Sequence, residues 1–155
     1  MGGGGDESMY DPALKPVLLD LFTEVAIIEH LVRSRFEPRD YYDLTAAQFG
    51  ALNFFCRLNK HEERLSGLAW CFQVDVESMR ETVDSVVSLG FLQSDNAPDP
   101  CVRVTEQGRL KHASLLENMA PDIAPVVAEI SPEDLRITAK TLIEIRRTLD
   151  NLPDR

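Results

Sequence analysis

Arg64 to Leu92 reads RLSGLAWCFQVDVESMRETVDSVVSLGFL, and the spacing of its apolar residues decides the fold. Leu68, Ala69 and Phe72 share one face of a first helix, while Val76, Met79, Val83, Val86 and Val87 recur at steps of 3, 4, 3 and 1 residues along a second. Asp75 stands where a carboxylate accepts from the free N–H groups of that second helix's first turn. Gly90 supplies a left-handed stop. Two helices joined by a tight turn form a helix-turn-helix, and both apolar faces need a partner to bury them.

Downstream, Phe91 and Leu92 begin a short extended run, and Ser94 to Pro100 (SDNAPDP) is turn-forming throughout. Cys101 to Val104 alternates back into Thr105-Glu106-Gln107-Gly108, the start of another helix. A helix-turn-helix followed by a two-stranded hairpin is a winged helix. On these residues the chain resembles the MarR (multiple antibiotic resistance regulator) family of bacterial regulators. The likeness lies in Leu68-Ala69, in Leu89-Gly90-Phe91-Leu92 at the helix end, and in Val104-Thr105-Glu106-Gln107-Gly108, which is similar to the family's Leu-Thr-Glu-x-Gly after the wing. The segment from Leu44-Thr45 through Gln48-Phe49 to Leu52 is similar to the family's Leu-Thr-x-x-Gln-aromatic-x-x-Leu. The resemblance covers roughly residues 12 to 150. It implies a mainly α fold, a winged helix-turn-helix with long N- and C-terminal dimerisation helices.

The flanks carry the matching patterns. From Pro12 to Phe36, Leu14, Leu18, Leu21, Val25, Ile28 and Val32 recur at 4, 3, 4, 3 and 4 residues, the heptad seam by which helices pair. Thr45 and Gln48 have capping-box spacing for a helix from Ala46 to about Leu58 that buries Phe49, Leu52, Phe54 or Phe55, and Cys56. Asn59 to Arg64 reads as a polar connector. His61 beside Glu62 and Glu63 is no metal site, because consecutive side chains do not converge on one ion. A helix from Glu106 to about Met119 turns Leu110, Leu115, Leu116 and Met119 inward and is interrupted by Pro121 and Pro125. Ser131-Pro132-Glu133-Asp134 starts a last helix, which runs to about Leu149 with Leu135, Thr138, Leu142, Ile145 and Leu149 on one face. Residues 1–11, with their glycine run, read as a flexible tail. Residues 12–150 form a single domain, with 12–44 and 109–150 as dimerisation helices and 45–108 as the winged head.

Length and composition agree with this division. A chain of 155 residues that is 44% hydrophobic suits one globular domain. No apolar run reaches the length of a membrane span and no secretory signal is present, so the expectation is a cytoplasmic protein without a membrane partner. Cys56, Cys71 and Cys101 match no zinc or redox spacing, and sparse, odd cysteines fit a reducing compartment. Cys56 and Cys71 read as buried bystanders, while Cys101 in the wing is left open. Nothing resembles a nucleophile motif, a phosphate-cradling glycine loop or a His-Glu-x-x-His helix, and His30, His61 and His112 fall on separate elements. The reading is therefore not an enzyme, with no cofactor and no metal.

Charge divides the functional readings. The chain carries a net charge of −10, and between Thr45 and Gly108 five bases face nine acids, a net of −4. A DNA binder ordinarily shows a basic footprint. The resemblance implies a homodimeric transcriptional regulator that binds double-stranded DNA. Arg57, Lys60, Arg64, Arg80 and Arg103 would then contact phosphates, and Ser78, Arg80 and Glu81 would face bases. It also implies control by a small aromatic carboxylate held among His30, Arg33, Phe36, Tyr41, Tyr42, Phe54 and Trp70, residues that equally suit core and dimer contacts. The alternative is a winged-helix protein whose acidic head has lost DNA and binds a protein partner. The wing carries no arginine at its tip, and Gln73-Val74 occupies the turn where the family commonly has glycine.

Overall fold

The computed structural model describes residues 11–36, 43–56 and 60–152. A short 3-10 turn at Pro12–Leu14, capped by Asp11, leads into α1, Lys15–Phe36. Helix α2 is Ala46–Phe55, and its expected capping box forms. Gln48 N donates to Thr45 Oγ1 at 3.2 Å, and Thr45 N donates to Gln48 Oε1 at 2.9 Å. Strand β1 (Glu62–Arg64) runs directly into α3 (Leu65–Phe72), and α4 (Val76–Ser88) follows. Strands β2 (Leu92–Ser94) and β3 (Cys101–Val104) form the wing hairpin. Helix α5 (Glu106–Ile123), a 3-10 turn at Ala124–Val127 and α6 (Pro132–Asp150) complete the order.

The core belongs to the head. Leu52 and Phe55 from α2, Leu65 and Leu68 from α3, Val83 and Val86 from α4, Leu92 from β2 and Val102 from β3 are nearly or fully excluded from water, with Leu115 of α5 closing one side. Burial of such side chains stabilises by roughly 1.5–3 kcal/mol each, which makes this cluster the main source of stability. The stripe expected on α4 is buried at Met79, Val83 and Val86, while Val76 stays exposed. On α2 both Phe54 and Phe55 are buried, ring edge to ring face with centroids 5.1 Å apart.

The helix ends are chemically determined. Asp75 Oδ1 accepts from Ser78 N at 2.8 Å, as its position predicted. Gly90 sits at φ +83°, where a side chain would be strained. Gly108 packs against the turn after α4 so closely that a Cβ there would run into the Phe91 carbonyl. Thr105 joins these two glycines, donating through its hydroxyl to Gly90 O at 2.7 Å and accepting from Gly108 N at 3.0 Å.

Four expectations are corrected. Glu62–Arg64 is a strand instead of a connector, pairing antiparallel with β3 to give a three-stranded sheet of order β1-β3-β2. Helix α2 ends at Phe55, with Cys56 as its C-cap. Helix α5 continues through Pro121 to Ile123, because Pro121 and Glu117, whose carbonyl loses its partner, are both exposed and water can satisfy the free oxygen. Of the four residues expected inward on the same helix only Leu115 is buried, with Met119 half-buried and Leu110 and Leu116 exposed.

The terminal helices differ from the head. No described residue of α1 is buried, and Leu18, Phe22, Val25, Ile28, Leu31 and Val32 on its stripe are 40–58% exposed. Helix α6 likewise buries nothing, although Ser131 caps it as expected and Leu142 and Leu149 lie on its apolar face.

Candidate nucleic-acid interface

The open face of α4 is set by the same periodicity that buries its other side. With Met79, Val83 and Val86 inward, Glu77, Ser78, Glu81, Asp84 and Ser88 face solvent. The wing stands beside it, and a cleft of about 380 Å³ lined by Arg80, Asp84, Val87 and Ser94 to Ala97 separates the two. Asp95 shapes the wing turn by accepting from Ala97 N at 3.1 Å and Cys101 N at 3.2 Å. A protruding helix next to a hairpin is the arrangement by which winged helices enter a groove.

The described bases are all engaged within the head. Lys60 Nζ lies 2.8 Å from Glu63 Oε2, and Arg103 Nε lies 2.7 Å from Glu62 Oε2, a pair that the β1–β3 register places opposite each other. Arg64 Nη1 donates to Asp99 O at 3.0 Å. Arg80 Nη2 donates to Pro98 O at 3.2 Å, with Nε 3.9 Å from Glu77 Oε2. The Ser78 hydroxyl donates to Asp75 Oδ2 at 2.7 Å, so it serves the cap, whereas Glu81 stays exposed on the open face. Arg57 lies outside the described residues.

One functional group escaped the sequence reading. The N-cap position of α3 is Arg64, which offers no side-chain cap, and the wing supplies one across the fold. Asp99 Oδ1 accepts from Ser66 N at 2.9 Å and Oδ2 from Ser66 Oγ at 2.7 Å. These bonds, with Arg64 and Arg80 nearby, hold the Asp99 carboxyl below the usual carboxylate range. The available signal was negative, since Leu65 starts a helix with no Ser, Thr, Asp or Asn before it.

Two histidines tie α5 to the head. Arg109 Nη2 donates to His61 Nδ1 at 2.7 Å, and His112 Nε2 lies 2.8 Å from Asn53 Oδ1 while its ring stacks on Phe49 at 5.8 Å. Burial pushes His112 down and the Cys56 thiol up, the latter partly offset by Arg109. Cys71, expected to be buried, is exposed, while Cys56 and Cys101 are half-buried.

The residues suggested for an aromatic acid are spread over several elements. His30 and Arg33 are on the exposed surface of α1, where Arg33 pairs with Glu29. Phe54 is part of the head core and Trp70 on α3 is 70% exposed. Tyr41 and Tyr42, and the side chain of Phe36, lie outside the described residues. Among the described residues no cluster of His, Cys, Asp or Glu is arranged to hold a metal, and no helix is long and apolar enough to cross a membrane.

A winged helix carried between long terminal helices defines the architectural class. The fold is the one seen in MarR-family structures. A MarR family protein from Bacillus stearothermophilus superposes with a TM-score of 0.59 at 16% identity, over 88% of this chain and 98% of that one. A MarR family transcriptional regulator from Silicibacter pomeroyi gives 0.60 at 21% identity, covering 90% and 94%. A MepR mutant from a multidrug-resistant S. aureus clinical isolate gives 0.62 at 10% identity, covering 83% and 96%. At these identities the likeness is one of fold. No protein-family profile and no curated protein sequence matches the chain.

Proposed function

We propose that this chain is a homodimeric winged-helix transcriptional regulator that binds operator DNA through α4 and the wing. The observation that carries the reading is the fully open face of α4 standing beside the wing hairpin. The apolar stripes of α1 and α6 supply the second half of the reading. They suit a clasp between two copies, which would present two heads to half-sites about one helical turn apart.

Engagement of the head's bases does not defeat phosphate binding. Arg103 and Glu62 are 61% and 57% exposed, and surface pairs of this kind contribute about 0–1 kcal/mol. A phosphate can exchange for such a carboxylate at little cost. Binding should therefore be weak and steeply salt-dependent, because each contact that releases a counterion steepens the slope by about 0.9. Titration of the dimer against genomic DNA fragments tests this directly. Retarded complexes near 50 mM salt that fade towards about 200 mM support the reading, and none at micromolar dimer near 50 mM overturns it.

A second reading rests on one observation, the acidic row of Glu77, Glu81 and Asp84 on the exposed face of α4. Those carboxylates repel phosphates and would instead favour a protein with a basic surface. Neutralising them to glutamine, glutamine and asparagine separates the readings. Loss of binding to a basic partner favours the second, whereas stronger DNA binding with operator preference retained favours the first. Control by a small aromatic acid is the remaining part of the proposal. Its candidate cation is Arg33, which would have to exchange Glu29 for the ligand, its candidate ring is the exposed Trp70, and a rise in melting temperature with benzoate-class acids would support it.

A further inference from the structure

We propose that Asp99 is a positioning residue that latches the wing onto the first turn of α3 and so keeps Arg64 and Arg80 turned onto wing carbonyls instead of phosphates. The consequence for phosphates rests on the operator-binding reading above, whereas the latch itself rests on geometry alone. The first N–H groups of α3 need acceptors from outside the helix. Pro100 O takes Leu65 N at 2.9 Å, and Asp99 takes both Ser66 N and Ser66 Oγ. The same three-residue segment receives both guanidiniums, Arg64 at Asp99 O and Arg80 at Pro98 O. Each of these contacts spans 18 to 35 residues of sequence, so they connect the wing to α3 and α4 as separate elements. Pro98 and Pro100 on either side fix φ and leave the segment few conformations other than the one seen.

In this arrangement Arg64 and Arg80 reach the wing from the start of α3 and from α4, and both donate to its carbonyls. Release of the wing frees them together. Asn at position 99 retains an oxygen for Ser66 N but carries no charge, and Ala retains neither, so Asp99→Asn and Asp99→Ala form a graded series. Glu117→Gln removes an equal charge from an exposed position on α5, away from both the latch and the proposed DNA face.

Two measurements on the full-length protein decide the matter. Amide hydrogen exchange without DNA should quicken at residues 65–66 and 96–101 in Asp99→Ala and less so in Asp99→Asn, with the β2–β3 ladder still protected. On non-specific duplex, the slope of log affinity against log salt should steepen by about 0.9 for each arginine released in Asp99→Ala, and Glu117→Gln should leave it unchanged. Adding Arg64→Gln and Arg80→Gln should remove that extra slope. Unchanged exchange in Asp99→Ala overturns the latch whatever DNA does. Faster exchange with a slope no steeper than that of Glu117→Gln overturns the withholding of the arginines. If neither wild type nor any variant retards duplex, the operator reading has failed, and exchange still decides the latch.

Discussion

The head and the terminal helices are built from similar apolar residues but use them differently. In the head, Leu52, Phe55, Leu68 and Val86 are fully buried, whereas on α1 the equally apolar Leu18, Val25 and Ile28 are 40–55% exposed. A single chain therefore completes its head from its own sequence and leaves the described terminal stripes exposed. Apolar surface of that extent is what the proposed clasp between two copies would cover. Stability should accordingly be local in the head and concentration-dependent in the terminal helices.

The largest effects should come from the head core. Phe55→Ala removes a ring with no exposed surface and should cost about 3–5 kcal/mol, read as a lowered denaturant midpoint that does not vary with protein concentration. Val25→Asp on α1 provides the contrast. It should leave the head's fold intact by near-ultraviolet circular dichroism, yet shift the chain to the single-copy form and abolish the concentration dependence of melting. Gly108→Ala comes next, because its methyl meets the Phe91 carbonyl and the backbone must move, a cost of about 1–3 kcal/mol by chemical denaturation. Thr105→Ala should cost about 1 kcal/mol in the same assay, since it removes one helix cap and the bond to Gly90 O.

The smallest effect is a pH dependence. His112 has its folded-state pKa lowered by burial, so the unfolded chain takes up its proton first as pH falls. Stability contributed by the neutral ring is present above about pH 6.5, declines below it, and levels off once the folded-state pKa is passed. Denaturant melts of wild type and His112→Gln across pH 7.5 to 5 should converge at the acid end. A parallel decline in both would assign the dependence elsewhere.

Legibility followed the range of each interaction. Asp75, Thr45 with Gln48, and Ser131 cap helices within three residues of themselves, and all three were readable from spacing. The α4 stripe was readable because one helix sets its own period. Strand β1 was not, since Glu62, Glu63 and Arg64 have no apolar alternation and find their partner about forty residues away in Arg103, Val102 and Cys101. The capping of α3 by Asp99 was hidden for the same reason, with 33 residues between acceptor and donor. Pro121 reads as a helix break in sequence, yet on the exposed face of α5 water satisfies the carbonyl it leaves unpaired and the helix continues. Of the candidate interface, the sequence supplies the bases, but their engagement by Glu62, Glu63 and the wing carbonyls is a fact of tertiary packing.

The central claim is that two copies clasp through α1 and α6 and hold out a pair of heads. Sedimentation equilibrium on the full chain, from below micromolar to tens of micromolar, tests it most directly. The account predicts twice the chain mass over most of that range, and the mass of one chain for Val25→Asp. A single-chain mass for the wild type throughout, with α1 still helical, would contradict it.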